Sequence, residues 1–574
     1  MSTTSRLLGV FLACALALVV GPRRSHAEDE KDLVWLRFDR YLDDEGVNRA
    51  LERVHAAWPA WTRLESMGSS REGRPLLVLT VFDPGGPDPD TRPAFYVDGN
   101  THGNEVQASE VCLCFIKYVL TSQREHVRRL LRRVTVHVAP CVNPDSRHRF
   151  FHTPQTPHSP RRVMRPVDDD GDGRVDEDGP DDLDGDGHIV SMRIKDPEGD
   201  SVVDERDDRL MRRLEPGETA AVRYRMLGPE GFDNDGDGQS CEDGEGGVDP
   251  NRNWPGSWRP ERDQDGAGPY PLSEPETRAT ALWMLRLPHL SGVQSFHNAG
   301  RMILRPPAAF TDREARMPGS DIRLYEELQR RGLGVLPTYR AMQIREDLYR
   351  VFGGFVDWTW FDLGVFSFTN ELWGNLEAER GPADEARGED DPRLSALRWN
   401  DEVLGGAGFV RWHEVKHPTL GTVEVGGWTR FTTRTDPVEY LHETCMRNAL
   451  FCVQHAEALP DVHVEVLDRD PVRGTIDVRV RNDALLPTIG ELPRRLGVLP
   501  PDRIRLEGGT VTAALRLRAG RDADVLDVRA GEARLPEGVE GAGEVRVRLF
   551  VTGEAKAIVF TSRTGGTHRV ALQR

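Results

Sequence analysis

His102 and Glu105 stand three residues apart in the stretch DGNTHGNE, between a short apolar run and a longer helix-like one. An imidazole and a carboxylate can supply two of the roughly four ligands that a zinc ion takes. The same pair also suits a hydrogen-bonding turn at a strand end, so it needs further donors before it means a metal site. His297, in GVQSFHNAG, is the candidate third donor, because an apolar strand ends there and a loop of small residues begins. Another string, WHEVKHP, holds His413, Glu414 and His417. H-E-x-x-H aims two imidazoles at one ion only on a helix. Pro418 follows at once, Gly405, Gly406 and Gly408 precede, and TLGTVEVGGW has strand character, so this string is expected to be a decoy.

A different chemistry is offered between residues 168 and 245. DDDGDGRVDEDG, DLDGDGHIV and DNDGDGQSCED repeat the D-x-D-x-D-G pattern or a close variant. Such strings wrap a hard cation in oxygen ligands, with glycine allowing the sharp bend. Asp168, Asp170 and Asp172 form the first set, Asp182, Asp184 and Asp186 the second, and Asp233, Asp235 and Asp237 the third. The lack of a clean twelfth-position glutamate argues against paired EF-hands and for calcium-stapled loops. Charges this dense repel one another, so the segment is expected to depend on bound cation for its order.

The elements that must position these groups can be read from periodicity. The spacing of Trp35, Leu36, Phe38, Leu42, Val47, Leu51, Val54 and Trp58 suits an amphipathic helix with breaks. RPLLVLTVFD and RPAFYVDGN read as strands, EVQASEVCLCFIKYVLTS as a helix, and RVTVHVAPCVNPD as a strand again. That rhythm predicts a three-layer α/β/α domain with its site in loops beyond the strand ends. The acidic segment, placed at residues 166–247, interrupts the rhythm as an insertion. DPVEYLHETCMRNALFCVQHAEAL reads as a closing helix, and after Pro460 about seven short alternating runs predict an all-β sandwich at residues 460–574. No catalytic cluster is visible in that last part, which is expected to pack or to mediate contacts.

Six motifs carry a resemblance. DGNTHGNE, NPDSRHR, GVDPNRNWP, SFHNAG, YRVFGGFVDW and FSFTNELWG occur in the order found in zinc metallocarboxypeptidases of the carboxypeptidase A and B superfamily, over roughly residues 32–455. The resemblance implies that His102, Glu105 and His297 are zinc ligands. It also implies that Glu371 is the general base that takes a proton from water activated by the metal. By the same resemblance Asn251 and Arg252 bind the free α-carboxylate of a peptide, for which the planar guanidinium fork is well shaped. Tyr349 closes over the substrate end, and an arginine before the GVDPNRN motif stabilises the oxyanion. SPRRVMRP offers Arg161, Arg162 and Arg165 for this last role, and Arg165 is the choice. Val356 falls where the family sets terminal side-chain preference, and its apolar character favours an apolar or neutral residue.

The sequence departs from the family in places. Ser146 replaces the usual glycine after NPD, which bears on the turn leading to the arginines. Asn104 in HGNE resembles the regulatory branch of the family, where the digestive branch has an arginine.

The first 27 residues combine a basic start at Arg6, an apolar stretch from Leu7 to Val20 and a small-residue end at Ala27, the pattern of a secretory signal. A secreted or periplasmic protein is expected, with no membrane segment after cleavage and no inhibitory pro-domain, since residues 28–101 already hold the first helix and strands. The 574 residues are too many for one core. The formal net charge of −19 excludes nucleic acid as an expected partner and favours cations. Of the seven cysteines, Cys14 lies in the signal, and the rest permit disulfides without defining them. The expected function is therefore zinc-dependent removal of C-terminal residues from peptides or proteins. The alternatives are an amidase or cell-wall peptide hydrolase on the same scaffold and a catalytically silent, calcium-dependent binding protein. Oligomeric state is not readable.

Overall fold

The apolar runs AFYVDG, TVHVA, LSGVQSFH and FSFTNE become the central strands Ala94–Gly99, Thr135–Ala139, Leu290–His297 and Phe366–Glu371 of a computed structural model. It describes residues 30–572, except 169–170, 172, 235, 237, 239, 242–243, 245, 375–390, 433 and 519–522. The expected signal, residues 1–27, lies outside the described residues. The four central strands are mutually parallel. Antiparallel pairing adds Pro75–Val81 and Thr62–Ser69 on one side and Met302–Arg305 on the other, with Arg340–Gln343 beyond it, for a mixed eight-stranded sheet.

Alternation along a strand sends neighbouring side chains to opposite faces. Phe95 and Val97 accordingly join the large core under one face, with Phe296, Phe368 and the helices Gln107–Thr121, Gly319–Val335 and Val438–Ala458. Tyr96 and Val293 join a second core with Trp254, Trp283 and Trp358 on the other face, closed by the helix Pro275–Arg286. The three layers are those the periodicity predicts. Between Gln107–Thr121 and Val438–Ala458, Cys112, Cys114, Cys445 and Cys452 are buried free thiols, and burial pushes each thiol up. Among the described residues no helix is long and apolar enough to cross a membrane.

The acidic segment contributes more than loops. Its short strands Ser191–Lys195, Ser201–Val203, Met211–Arg213 and Tyr224–Pro229 pair with the hairpin Phe409–His417 and Gly421–Trp428 in a six-stranded antiparallel sheet. Arg193 ties the two segments together, its guanidinium 2.6 Å from Glu424. The decoy string WHEVKHP is thus strand, and its histidines are spent locally. His413 Nε2 lies 2.8 Å from Asp184 Oδ2, and His417 Nε2 lies 3.0 Å from the Gly231 carbonyl.

After residue 460 one hydrogen-bonded network of eight antiparallel strands encloses its own core. Bulges at Glu507/Gly509 and Val511/Ala513 bend its long strand Asp502–Leu517. A helix, Glu491–Leu496, interrupts the expected all-strand pattern. It docks on the catalytic-side domain, where Asp321 accepts hydrogen bonds from the Glu491 and Leu492 amides.

Candidate active site

The C-terminal ends of the parallel strands converge at Gly99, Ala139, His297 and Glu371, and a doubly covered parallel sheet leaves its crevice there. His297 and Glu371 are register partners on adjacent strands, so one strand end delivers an imidazole and the next a carboxylate to the same place. Gly99 leads into the loop of His102 and Glu105. Only glycine fits at position 103, because a Cβ would lie 2.2 Å from the Ser146 Cβ and 2.9 Å from the Pro160 carbonyl.

His102, Glu105 and His297 are 1–2% exposed. Their donor atoms meet. His102 Nδ1 is 2.9 Å from Glu105 Oε1, His297 Nδ1 is 3.0 Å from Glu105 Oε2, and the two Nδ1 atoms are 3.1 Å apart. On the far side of each ring stands a second partner. His102 Nε2 is 3.0 Å from Asp249 Oδ1, and His297 Nε2 is 3.3 Å from the Ser295 hydroxyl. With the Nε2 protons donated outward, both Nδ1 lone pairs face the carboxylate. Two imidazole lone pairs and a carboxylate aimed at one point, each backed by an outer hydrogen bond, make the donor set of a zinc site with a position left open. Burial alone would push Glu105 up, yet His102 and His297 hold it well below the ordinary carboxylate range. Asp249 is likewise held low against burial by His102, Arg252 and Arg161.

Glu371 behaves in the opposite way. Burial, and next the Glu105 carboxylate, push it up to about 7. Its Oε2 is buried and has no hydrogen-bond partner among the described residues. An acceptor so placed beside a metal-type cluster is suited to taking and returning a proton.

The arginines separate by contact. Arg161 reaches the cluster, with NH1 3.0 Å from Glu105 Oε1 and Nε 3.3 Å from Asp249 Oδ2. Arg162 pairs with Asp265, and Arg165 reaches Glu274 at 3.0 Å instead. The backbone explains this register: Gly103 N donates to the Arg161 carbonyl at 3.1 Å, and the Ser146 hydroxyl donates to the Arg162 carbonyl. The serine that departs from the expected glycine therefore anchors the arginine segment to the helix Pro144–His152, while the Gly103 amide ties it to the metal loop. Arg434, which sequence reading did not single out, stands 3.7 Å from Glu105 Oε1.

Asn251 and Arg252 lie in a loop laced to residues 351–355. Asn251 Oδ1 accepts from the Phe355 amide at 3.0 Å, and Trp254 N donates to the Gly353 carbonyl. Arg252 NH1 donates to the Asn251 carbonyl at 2.9 Å, and no ion pair engages its guanidinium among the described residues. Tyr349 is 56% exposed, within electrostatic reach of Arg161. Val356 is buried in an apolar cluster with Met302, Leu304, Ala308, Ile344 and Val351. Asp249 is the main residue that sequence reading passed over. It sits inside GVDPNRNWP, two positions before Asn251, and a carboxylate beside an expected metal loop was the available signal.

In the insertion, the first aspartate of each acidic string accepts two or more amides of its own turn. Asp168 takes Gly171 N and Gly173 N, Asp182 takes Gly185 N and Gly187 N, and Asp233 takes Gly236 N and Gly238 N. Donor atoms of Asp182, Asp184 and the buried Glu230 lie within 4.8 Å of one another. Asp186 caps the His188 amide at 2.8 Å. Asp170, Asp172, Asp235 and Asp237 lie outside the described residues.

A family model for zinc carboxypeptidases, Peptidase_M14, matches residues 47–162 and 218–380. The carboxypeptidase N catalytic chain of Rattus norvegicus is 36% identical over 115 residues, covering 20% of this chain and 24% of that one. Carboxypeptidase D of Mus musculus is 37% identical over 97 residues, 17% of this chain and 7% of its own length. The chain thus spans about a quarter or less of the curated relatives it matches. Among solved structures, thrombin activatable fibrinolysis inhibitor aligns with a TM-score of 0.43 at 17% identity, over 73% of this chain and 77% of that one. Carboxypeptidase A from Helicoverpa armigera aligns with a TM-score of 0.40 at 16% identity, over 59% and 66%.

Proposed function

Because residues 47–162 and 218–380 of this chain belong to the zinc carboxypeptidase family, we propose that the protein is an exported zinc carboxypeptidase, secreted or periplasmic, that removes residues from the free C-termini of peptides or proteins. The observation that carries this reading is the convergence of His102, Glu105 and His297 beside a Glu371 oxygen that has no partner.

His102, Glu105 and His297 would hold a zinc ion, which when bound would supply Lewis acidity to the scissile carbonyl and to water. Glu371 accepts the proton of the attacking water at Oε2 and returns it to the leaving amine. A carboxyl raised to about 7 is poised for both directions of that transfer. Arg161 brings positive charge to the place where the carbonyl oxygen becomes negative, and its ion pairs to Asp249 and Glu105 keep it oriented before substrate arrives. We therefore give Arg161 the oxyanion role for which Arg165 is the choice on sequence alone. Arg252, with no ion-pair partner among the described residues, and Asn251 receive the substrate α-carboxylate. Tyr349 covers the substrate end from an exposed loop, and the apolar cluster around Val356 favours an apolar or neutral terminal side chain. The acidic insertion takes calcium at its aspartate turns.

Mass spectrometry of a peptide panel, with C-terminally amidated copies, tests the reading. The zinc- and calcium-loaded protein is expected to shorten free-acid peptides stepwise from the C-terminus, and the Glu371→Gln variant to leave them intact. Internal cleavage of amidated peptides would move the assignment to an amidase or cell-wall hydrolase. An intact panel in the presence of bound zinc would overturn the peptidase reading.

A further inference from the structure

A second set of imidazole and carboxylate donors lies apart from the cluster at the strand ends. His148 and His152 sit one turn apart on the helix Pro144–His152, so both rings leave the same face. Their centroids are 4.4 Å apart. Facing them, the helix Asp44–Ala57 begins with Asp44, capped by Asp43. Asp44 Oδ1 lies 3.0 Å from His148 Nδ1, and Asp43 Oδ2 lies 3.2 Å from His152 Nε2. One donor atom each from Asp44, His148 and His152 lies within 4.8 Å of the others. The active-site reading uses none of these residues.

The donor types select the ion. Two imidazoles and one carboxylate oxygen suit zinc, cobalt, nickel or copper, whereas calcium and magnesium prefer all-oxygen shells. Asp44 is buried, and its Oδ2 faces Arg74 Nε at 3.4 Å, which leaves Oδ1 toward the histidines. Asp43 has Oδ1 committed to the Gly46 amide at 2.7 Å, and its Oδ2 is placed to orient the His152 ring from outside. The His148 and His152 side chains are 33% and 46% exposed, so an ion can enter from solvent and water can complete its shell.

We propose that Asp44, His148 and His152 form an accessory site for a divalent transition ion of the zinc class. The donors of a tetrahedral ion with bonds near 2.0–2.1 Å stand roughly 3.3–3.5 Å apart. Small rotations of two partly exposed rings bring the cluster to that spacing. The ion clamps the start of one helix to the end of the other. The clamped helix opens at Asn143, whose side chain donates to the Thr101 and Arg162 carbonyls at 3.2 and 3.4 Å. The site therefore braces the element that holds the metal loop against the arginine segment.

Elemental mass spectrometry on the full chain, stripped with chelator, reloaded with Zn2+ and desalted, tests the assignment. Wild type is expected to carry one more zinc per chain than the His148→Ala/His152→Ala variant, while that variant keeps its peptide hydrolysis. Co2+ titrated into a His102→Ala/His297→Ala variant is expected to give visible ligand-field bands that vanish when His148 and His152 are also replaced. Equal zinc in wild type and the His148→Ala/His152→Ala variant would overturn the site, whatever the peptide assay shows. Circular dichroism in chelator, expected to be the same for wild type and that variant, separates loss of the ion from loss of the fold.

Discussion

In the cluster of His102, Glu105 and His297 every donor is at most 2% exposed, and the outer partner of His102 comes from far away in the chain. Asp249 holds His102 from 147 positions away. In the acidic insertion the aspartate donors lie at or near the surface, Glu230 alone among Asp182, Asp184 and Glu230 is buried, and each leading aspartate is held by glycine amides three and five residues further along the same turn. The first arrangement is built by the sheet, whose adjacent strand ends bring the donors together. The second combines local turns with a few tertiary contacts, such as His413 to Asp184 at 2.8 Å, and crowds like charges together, which is why a cation is proposed there. On the proposed reading, carboxylates serve catalysis where the sheet buries them and take a cation where turns near the surface present them.

The largest expected effect isolates the buried cluster. Glu371→Gln should lower kcat on free-acid peptides by about 10²–10⁴-fold, the usual weight of a general base. Its zinc content should match wild type, and steady-state rates alongside metal analysis check this. Next, Arg161→Ala should cost about 10²–10³-fold in kcat, as loss of an oxyanion donor does. Arg165→Ala, whose partner Glu274 keeps Arg71 at 2.6 Å, should stay near wild type. A reversed order of these two variants would break the assignment. Asp249→Asn should then weaken zinc binding by about 10–100-fold, read by competition with a chromophoric chelator, because an outer carboxylate tunes a histidine ligand by that factor.

The contrast itself is sharpened by chelator. Limited proteolysis between residues 168 and 247 should accelerate about tenfold when calcium is removed, the factor that 1.4 kcal/mol of ion linkage supplies. The central sheet should resist under both conditions. The smallest effect uses a carboxylate far from either cluster. Asp502 is pushed up to about 7 by burial, against hydrogen bonds from Thr488 and Ser562. The native state then binds a proton that the unfolded chain, with a carboxyl near 3.9, has released. Stability from this group is full below about pH 4 and is lost as pH rises toward 7. Asp502→Asn should flatten that fall by roughly 1–2 kcal/mol in denaturant titrations at pH 5 and pH 8.

His102, Glu105, His297 and Glu371 could be singled out because they lie in contiguous motifs that resemble those of zinc carboxypeptidases, and the sheet brings the two strand ends that carry His297 and Glu371 side by side. Which arginine meets the cluster was not legible in the same way. Three arginines within five residues differ only in which one the Gly103 and Ser146 hydrogen bonds turn toward Glu105, and those contacts cross from one segment to another. The six-stranded sheet was illegible for a related reason. Its strands of three to six residues in the insertion are too short to show a period, and their partners lie in a hairpin roughly two hundred residues away.

The sequence by itself determined the three layers, the decoy character of WHEVKHP and the residue types available for chemistry, because hydrophobic period and turn residues act over a few neighbours. Tertiary structure alone decided that Asp249 backs His102, that Arg161 and not Arg165 meets Glu105, and that Asp44 faces His148 and His152. Each of those pairs joins segments that only the packing of sheet and helices brings within hydrogen-bond distance.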